Sequence, residues 1–240
     1  MKQKRNVEPP VPLYSRPESN EPVAKLAAAA GMDIDEYMEE MPRRRLAALP
    51  IGGSRFGGLP DLPPNLSWPS WKGKKLPFLA QIDLATLPQS PLPSEGWLFV
   101  FSLFGDGATK FKVIHHRGPR GELVRAGHPS EDEVWADWAF SSVYWVVPFV
   151  AATQPKRASG KWEEASWLFG EIDEEGERAE DIAAYAKLPG NDWITFLVIG
   201  SVGDMAWGDG AQSKAQLIIR RQDLTKLDFT KVHGACCCSC

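Results

Sequence analysis

A chain of 240 residues with 43% hydrophobic and 24% charged residues has the make-up of a folded globular protein, which excludes a disordered or fibrous polymer. Its formal net charge of -4 at pH 7 gives no overall attraction for phosphate backbones or anionic lipid, so nucleic acid is not expected as a partner. The apolar run 139–152 is broken by Ser141, Ser142 and Pro148, short of the roughly 18 apolar residues a spanning helix needs, so no membrane span is expected.

The first residues carry Lys2, Lys4 and Arg5, but Pro9, Pro10 and Pro12 stand where a secretory signal needs an apolar core. A cytoplasmic location is therefore the expectation. With Pro17 and Pro22 as well, residues 1–22 lack backbone donors and an apolar face, and predict a flexible arm ahead of one domain over 23–232. Val23, Leu26, Ala27 and Ala30 then fall at helical spacing, with Gly31 as a stop. Asp33 predicts the cap of a second helix running to Met41 and ended by Pro42.

From Leu49 to Trp71 the chain turns to glycine, proline and aromatics, which cannot continue a helix or a central strand. Phe56, Leu59, Leu62, Trp68 and Trp71 give this stretch apolar anchors, so it reads as an ordered loop. Apolar, β-branched or aromatic runs at Phe78–Leu84, Gly96–Phe104, Phe111–His115 and Val143–Val150 predict strands, with Gly105-Asp-Gly107 as a tight turn. Residues 160–190 read as an inserted helix with an acidic face formed by Glu171, Glu174, Glu175, Glu177, Glu180 and Asp181. Strands follow at Trp193–Ile199 and Gln216–Arg221, separated by a second glycine-rich loop at 203–210. The pattern does not alternate regularly, which predicts an α+β fold with mixed, mainly antiparallel sheets and N-terminal helices. Pro77–Leu84 and Asp192–Gly200 echo each other, as a duplication or as shared composition.

Three blocks occur in order: Arg55-Phe-Gly-Gly-Leu-Pro-Asp-Leu-Pro63 followed by Trp68-Pro-Ser-Trp71; Pro77-Phe-Leu-Ala-Gln-Ile-Asp-Leu84; and Asp204-Met-Ala-Trp-Gly-Asp209 followed by Arg220-Arg-Gln-Asp-Leu-Thr-Lys-Leu-Asp-Phe229. Together they resemble the YwqG-like family, a mostly bacterial family of unknown function, over about residues 48–232. The resemblance implies an α+β fold and no established reaction, and it implies an immunity-type or other binding role. The chain departs from the family's pattern in its acidic stretch at 166–188 and in its ending, His233-Gly-Ala-Cys-Cys-Cys-Ser-Cys240.

The candidate binding residues are Arg55, Asp61, Gln81, Asp83, Asp204, Trp207 and Asp209. The Gly52–Gly58 loop could let backbone donors approach an anion beside Arg55, but it lacks the spacing of a P-loop or a dinucleotide fingerprint; its glycines equally serve positive-φ turns. Gln81 and Asp83 share one face of a strand, either hydrogen-bonded to loop amides or catalytic, and a pairing of Asp83 with Arg55 would anchor the loop. Asp204, Trp207 and Asp209 suit a sugar, a cation or a basic peptide, or else turn capping around a core indole; their spacing is not that of an EF-hand. His115 and His116 point to opposite faces and make poor joint ligands.

All four cysteines, Cys236, Cys237, Cys238 and Cys240, fall in the last five residues, so no disulfide framework holds the fold. They are the nearest approach to a metal set, but adjacent cysteines wrap one tetrahedral ion poorly, so no metal and no cofactor are expected. Residues 233–240 read as a Cys-rich tail, and deleting residues 235–240 is expected to leave the thermal midpoint nearly unchanged. No elbow or catalytic thiol motif is present, catalytic residues stay unassigned, and enzymatic activity stays open. The leading expectation is a non-enzymatic binding protein for an unknown protein or small polar ligand. The alternative is a hydrolase-like enzyme for a small polar or sugar substrate, using Asp83, Asp204 or Asp209.

Overall fold

The computed structural model describes residues 10–15, 23–103, 110–135, 146–151, 166–170, 178–200 and 214–237. Strand β1 (Val11–Ser15) leads to helices α1 (Val23–Ala30) and α2 (Ile34–Ala48). Gly31, at φ 71, ends the alanine-rich α1. Asp33 caps α2 by accepting the Glu36 N–H on Oδ1 at 2.8 Å.

Pro42 does not end α2 as the sequence suggests. It lies inside the helix and is buried, as are Tyr37 and Leu46. A proline in a helix interior costs about 3 kcal/mol, and burying a large apolar side chain recovers about 1.5–3 kcal/mol for each one. The packed face therefore carries the helix through. On its exposed face the pairs Arg43–Glu39 and Arg44–Glu40 add little.

Among the described residues, eleven further strands and one short helix follow in the body of the chain: β2 (Arg55–Gly57), β3 (Asp61–Leu62), β4 (Ser70–Trp71), β5 (Lys74–Lys75), β6 (Phe78–Asp83), β7 (Trp97–Leu103), β8 (Lys110–His116), β9 (Val124–Arg125), β10 (Val146–Ala151), β11 (Ser166–Leu168), α3 (Ala179–Tyr185) and, past it, β12 (Trp193–Gly200). Then come β13 (Lys214–Arg220), α4 (Arg221–Thr225) and β14 (His233–Cys237). The fold is α+β and rich in antiparallel sheet. In the stretch read as one acidic helix, the described residues give β11 and the short α3 instead.

One sheet holds ten strands in the order β14-β13-β12-β11-β1-β10-β2-β6-β7-β8, and each neighbouring pair is antiparallel. Strands β3 and β9 form one small ribbon and β4 and β5 another. Counted outward from the central β1–β10 pair, β6 and β12 hold matching places in the two arms, and these are the segments whose sequences echo each other. The innermost strands match as well: β2 ends in Gly57 and Gly58 at φ 65 and 74, and β11 runs into Phe169 and Gly170 at φ 57 and 86.

The proline-rich start and the glycine-rich stretch both enter this sheet. β1, within the segment read as an arm, lies between β10 and β11, and Val11 and Leu13 beside Pro12 are buried. β2, within the stretch read as loop, lies between β10 and β6. Local propensity argues against both, but burial on a ready-made sheet outweighs it. At the other end, residues 233–237 of the segment read as a tail pair with β13 from His233↔Ile218 to Cys237↔Lys214.

The sheet curls until its end strands touch. Gly234 of β14 packs on Phe111 of β8, where an added Cβ would come within 2.6 Å of the ring, and His115 of β8 meets Phe229 ahead of β14 at 5.6 Å between rings. The curl encloses a core containing Phe56, Ile82, Leu98, Val100, Phe196 and Leu217. Trp97, Phe99, Phe101 and Leu103 point the other way and are covered by a second layer that includes Leu62, Leu76 and Leu123. With both faces covered, all of β7 is buried, which is why it reads as an unbroken apolar run rather than an alternating one. On the other arm α3 packs Ala179, Ile182 and Ala183 on Trp193 and Ile218.

Candidate functional site

Two cross-strand pairs bring the predicted residues of the first two blocks together. Arg55 on β2 stands opposite Gln81 on β6, and Asp61 on β3 stands opposite Arg125 on β9. The tight turn through Gly57 and Gly58 folds β3 back over β2, so that Asp61 faces both Arg55 and Gln81.

Asp61 is the hub. Its Oδ2 accepts from Arg55 Nη1 at 3.0 Å, Gln81 Nε2 at 3.1 Å and the Gly52 N–H at 2.7 Å. Its Oδ1 accepts from Arg125 Nε at 2.9 Å, and its own N–H donates to Gln81 Oε1 at 2.8 Å. Burial would raise the Asp61 carboxyl. The Arg55 charge, with the hydrogen bonds from Arg125, Gly52 and Gln81, outweighs it and holds the group below the ordinary carboxylate range.

Two arginines facing one carboxylate leave an excess of positive charge, and backbone carbonyls take it up. Arg55 donates to Gly53 O at 3.1 Å and to Leu59 O. Arg125 donates to Leu46 O, and to Leu49 O at 3.3 Å. The last two acceptors lie at the C-terminus of α2, the negative end of its dipole. Arg125 therefore ties the helical segment to the sheet.

Asp83 ends β6 beside this hub. Its N–H donates to Ser54 Oγ at 2.9 Å, and its Oδ1 accepts from the Ala85 N–H at 3.1 Å, capping the turn at 84–86. Oδ2 pairs with Arg120, not with Arg55. Arg120 also donates to Ile51 O at 2.8 Å and lies over the Trp97 ring at 5.5 Å, while Trp97 Nε1 donates to Gly52 O at 2.9 Å. Gly52, at φ 79, has no room for a side chain: an added Cβ would come within 2.9 Å of Arg120 Nη1 and 3.1 Å of Trp97 Nε1.

Arg55, Asp61 and Gln81 are 0% exposed and Asp83 is 2% exposed. The Arg120 side chain, at 48% exposure, is the open edge of the cluster. Arg120, Arg125 and Trp97 carry no signal in the sequence, since Arg125 meets Asp61 across 64 residues. Asp204, Trp207 and Asp209 lie outside the described residues, as do Cys238 and Cys240. Cys236 and Cys237 are the end of β14. In the third block, Arg220 Nε donates to Asp192 Oδ1 at 2.6 Å and joins β13 to the start of β12. Among the described residues no group of three or more His, Cys, Asp or Glu side chains is placed to hold a metal ion, and no helix is long and apolar enough to cross a membrane.

The curled antiparallel sheet and the braced Arg55–Asp61 hub define an α+β domain in which the first two of the three sequence blocks meet in one cluster. Residues 54–238 match the family described as a domain of unknown function, DUF1963, and the chain belongs to that family. No curated protein matches it.

Proposed function

We propose that this DUF1963 protein, of YwqG-like type, is a non-enzymatic binding protein of the cytoplasm. In this reading the arginine–carboxylate cluster is a brace that sets the shape of the loops around it, and the recognition residues stand on those loops. One observation carries it: among the described residues, the carboxylates of the first two blocks are enclosed and already paired, Asp61 with Arg55 and Arg125 and Asp83 with Arg120. A general acid must hold a proton near neutral pH and reach its substrate, whereas Asp61 is held charged and covered.

Asp204, Trp207 and Asp209 stay in the proposal as contacts on the second glycine-rich loop, and an immunity-type role is the form of binding that the family resemblance suggests. The test is a screen of the purified protein against chromogenic phosphate, ester and glycoside substrates, run beside Asp83→Asn. The binding reading expects no turnover that depends on Asp83. Turnover that disappears in the variant, at an unchanged thermal midpoint, would replace the brace with an active site.

A further inference from the structure

The ribbon β4–β5 carries a feature that the brace does not use. Its turn holds Lys72 at φ 46 and Gly73 at φ 81, so a lysine occupies a left-handed position that usually falls to glycine or asparagine. That geometry folds the Lys72 ammonium back over its neighbour, with Nζ 4.3 Å from the Trp71 ring centre. Lys110, from β8, reaches the same ring at 5.9 Å. Trp71 lies against Trp135 with ring centres 5.1 Å apart, and Trp135 Nε1 donates to Trp71 O at 2.9 Å. Lys74 stands over the Trp135 ring at 5.7 Å.

The result is a pair of half-buried indoles under three ammonium groups, all three lysines being exposed. Lys112 adds a fourth cation on the same face of β8 as Lys110, two residues on and so about 7 Å away. Among the described side chains, the carboxylates at the rim are Glu133, which pairs with Lys75 at 3.2 Å, and Asp132, whose pKa is lowered first by the Ser130 hydroxyl and, as its weakest influence, by Lys74. Among the described residues no carboxylate pairs with Lys72, Lys110 or Lys112. Two like charges on one indole, with no counter-ion among the described residues, repel each other, and an anion laid between them removes that repulsion. In a chain of net charge -4 this cationic patch runs against the overall balance.

Resting on the binding reading above, we infer that the Trp71–Trp135 ledge, with Lys72, Lys110 and Lys112, docks an extended acidic segment of a partner protein. An extended peptide presents every second side chain at the spacing that separates Lys110 from Lys112, so alternate Asp or Glu carboxylates can meet both. The indoles supply apolar and cation–π contact at the centre, where binding energy concentrates. A long polyanion such as DNA, or an anionic membrane, meets the repulsion of the whole negative chain, which a short segment seated on the patch escapes.

The experiment uses the full chain and a fluorescein-labelled peptide of Asp, Glu and Leu, followed by fluorescence anisotropy at low salt. Saturable binding is expected, weakened by about ten-fold or more in Lys72→Glu/Lys110→Glu, a variant whose exposed sites should leave the thermal midpoint in place. A Lys and Leu peptide should show the opposite preference and favour the variant. Absence of saturable binding, equal affinity for wild type and variant, or tighter binding of phosphatidylserine vesicles or of a single-stranded oligonucleotide would each overturn the inference. If the peptide fails while the hydrolase screen stays blank, this surface falls and the binding reading stands. Asp83-dependent turnover removes the binding reading whatever the peptide does.

Discussion

Asp61 Oδ2 lies 3.0 Å from Arg55 Nη1, and neither side chain is reached by solvent. Removing one partner of such a pair leaves the other charged, buried and uncompensated, at a cost of about 3–5 kcal/mol. Asp61→Ala is expected to lose about that much in urea unfolding, and Gly52 and Gln81 lose an acceptor with it. Replacing both partners, as in Arg55→Met/Asp61→Leu, should cost less than Asp61→Ala alone, since the fully buried Arg55 charge goes with its partner and only the part-exposed Arg125 remains, still donating to Leu46 O and Leu49 O. A double variant that is the less stable of the two would show that the charges themselves hold the loop.

The Arg120–Asp83 pair should be worth far less. Arg120 is half exposed and screened, so Arg120→Ala is expected to cost on the order of 1 kcal/mol, and less in high salt. Comparing the two alanine variants by the same denaturant midpoint checks the ranking. An Arg120→Ala loss equal to that of Asp61→Ala would mean that the outer pair, not the hub, is the anchor.

Gly52 fits beneath Arg120 and Trp97 only because it has no side chain and adopts a positive φ. Gly52→Ala should therefore destabilise by about 1–3 kcal/mol. It should also shift Trp97 fluorescence, because the Nε1 hydrogen bond to Gly52 O has to move. Stability and emission that both stay at wild-type values would refute the close approach.

Acidification should weaken the fold through two half-buried histidines. Burial lowers the pKa of His115, with Arg117 and His116 adding to it against a hydrogen bond to Glu95; burial also lowers His233, with help from Lys231 and Lys110. A histidine with a depressed folded pKa takes its proton more readily in the unfolded chain, near pH 6.5. Its contribution is then fully present above that pH and lost as the pH falls through the folded value. The urea midpoint should drop between pH 7.5 and 5, and His115→Gln/His233→Gln should flatten the drop. An equal slope in the variant would assign the pH dependence elsewhere.

Deleting residues 235–240 looks harmless from the sequence, but the structure predicts a loss on the order of 2 kcal/mol. The deletion strips Ala235, Cys236 and Cys237 from the β13 ladder and opens the edge beside Ala215 and Gln216, both 0% exposed. A thermal melt of the truncated chain decides between these expectations.

Much of the sheet was legible because its strands write their burial into composition. Trp97–Leu103 and Trp193–Gly200 are apolar on both faces, and few other elements produce such runs. Asp33 as a cap and Gly31 as a stop were equally readable, being local chemistry of one turn. β1 around Pro12, β2 among glycines and β14 among cysteines were not. Their residues favour loops in isolation, and only a neighbouring strand supplies the hydrogen bonds and cover that make them strands.

The same division runs through the site. Sequence alone determined which residues mattered enough to single out, since Arg55, Asp61, Gln81 and Asp83 stand in dense polar and glycine-rich blocks whose chemistry is visible residue by residue. Tertiary structure decided what those residues do: it set Arg125 against Asp61 across 64 residues and Arg120 against Asp83 across 37, closing each carboxylate from solvent. The pairing of a charge depends on distance in space, and a linear chain does not carry that distance until the sheet has curled.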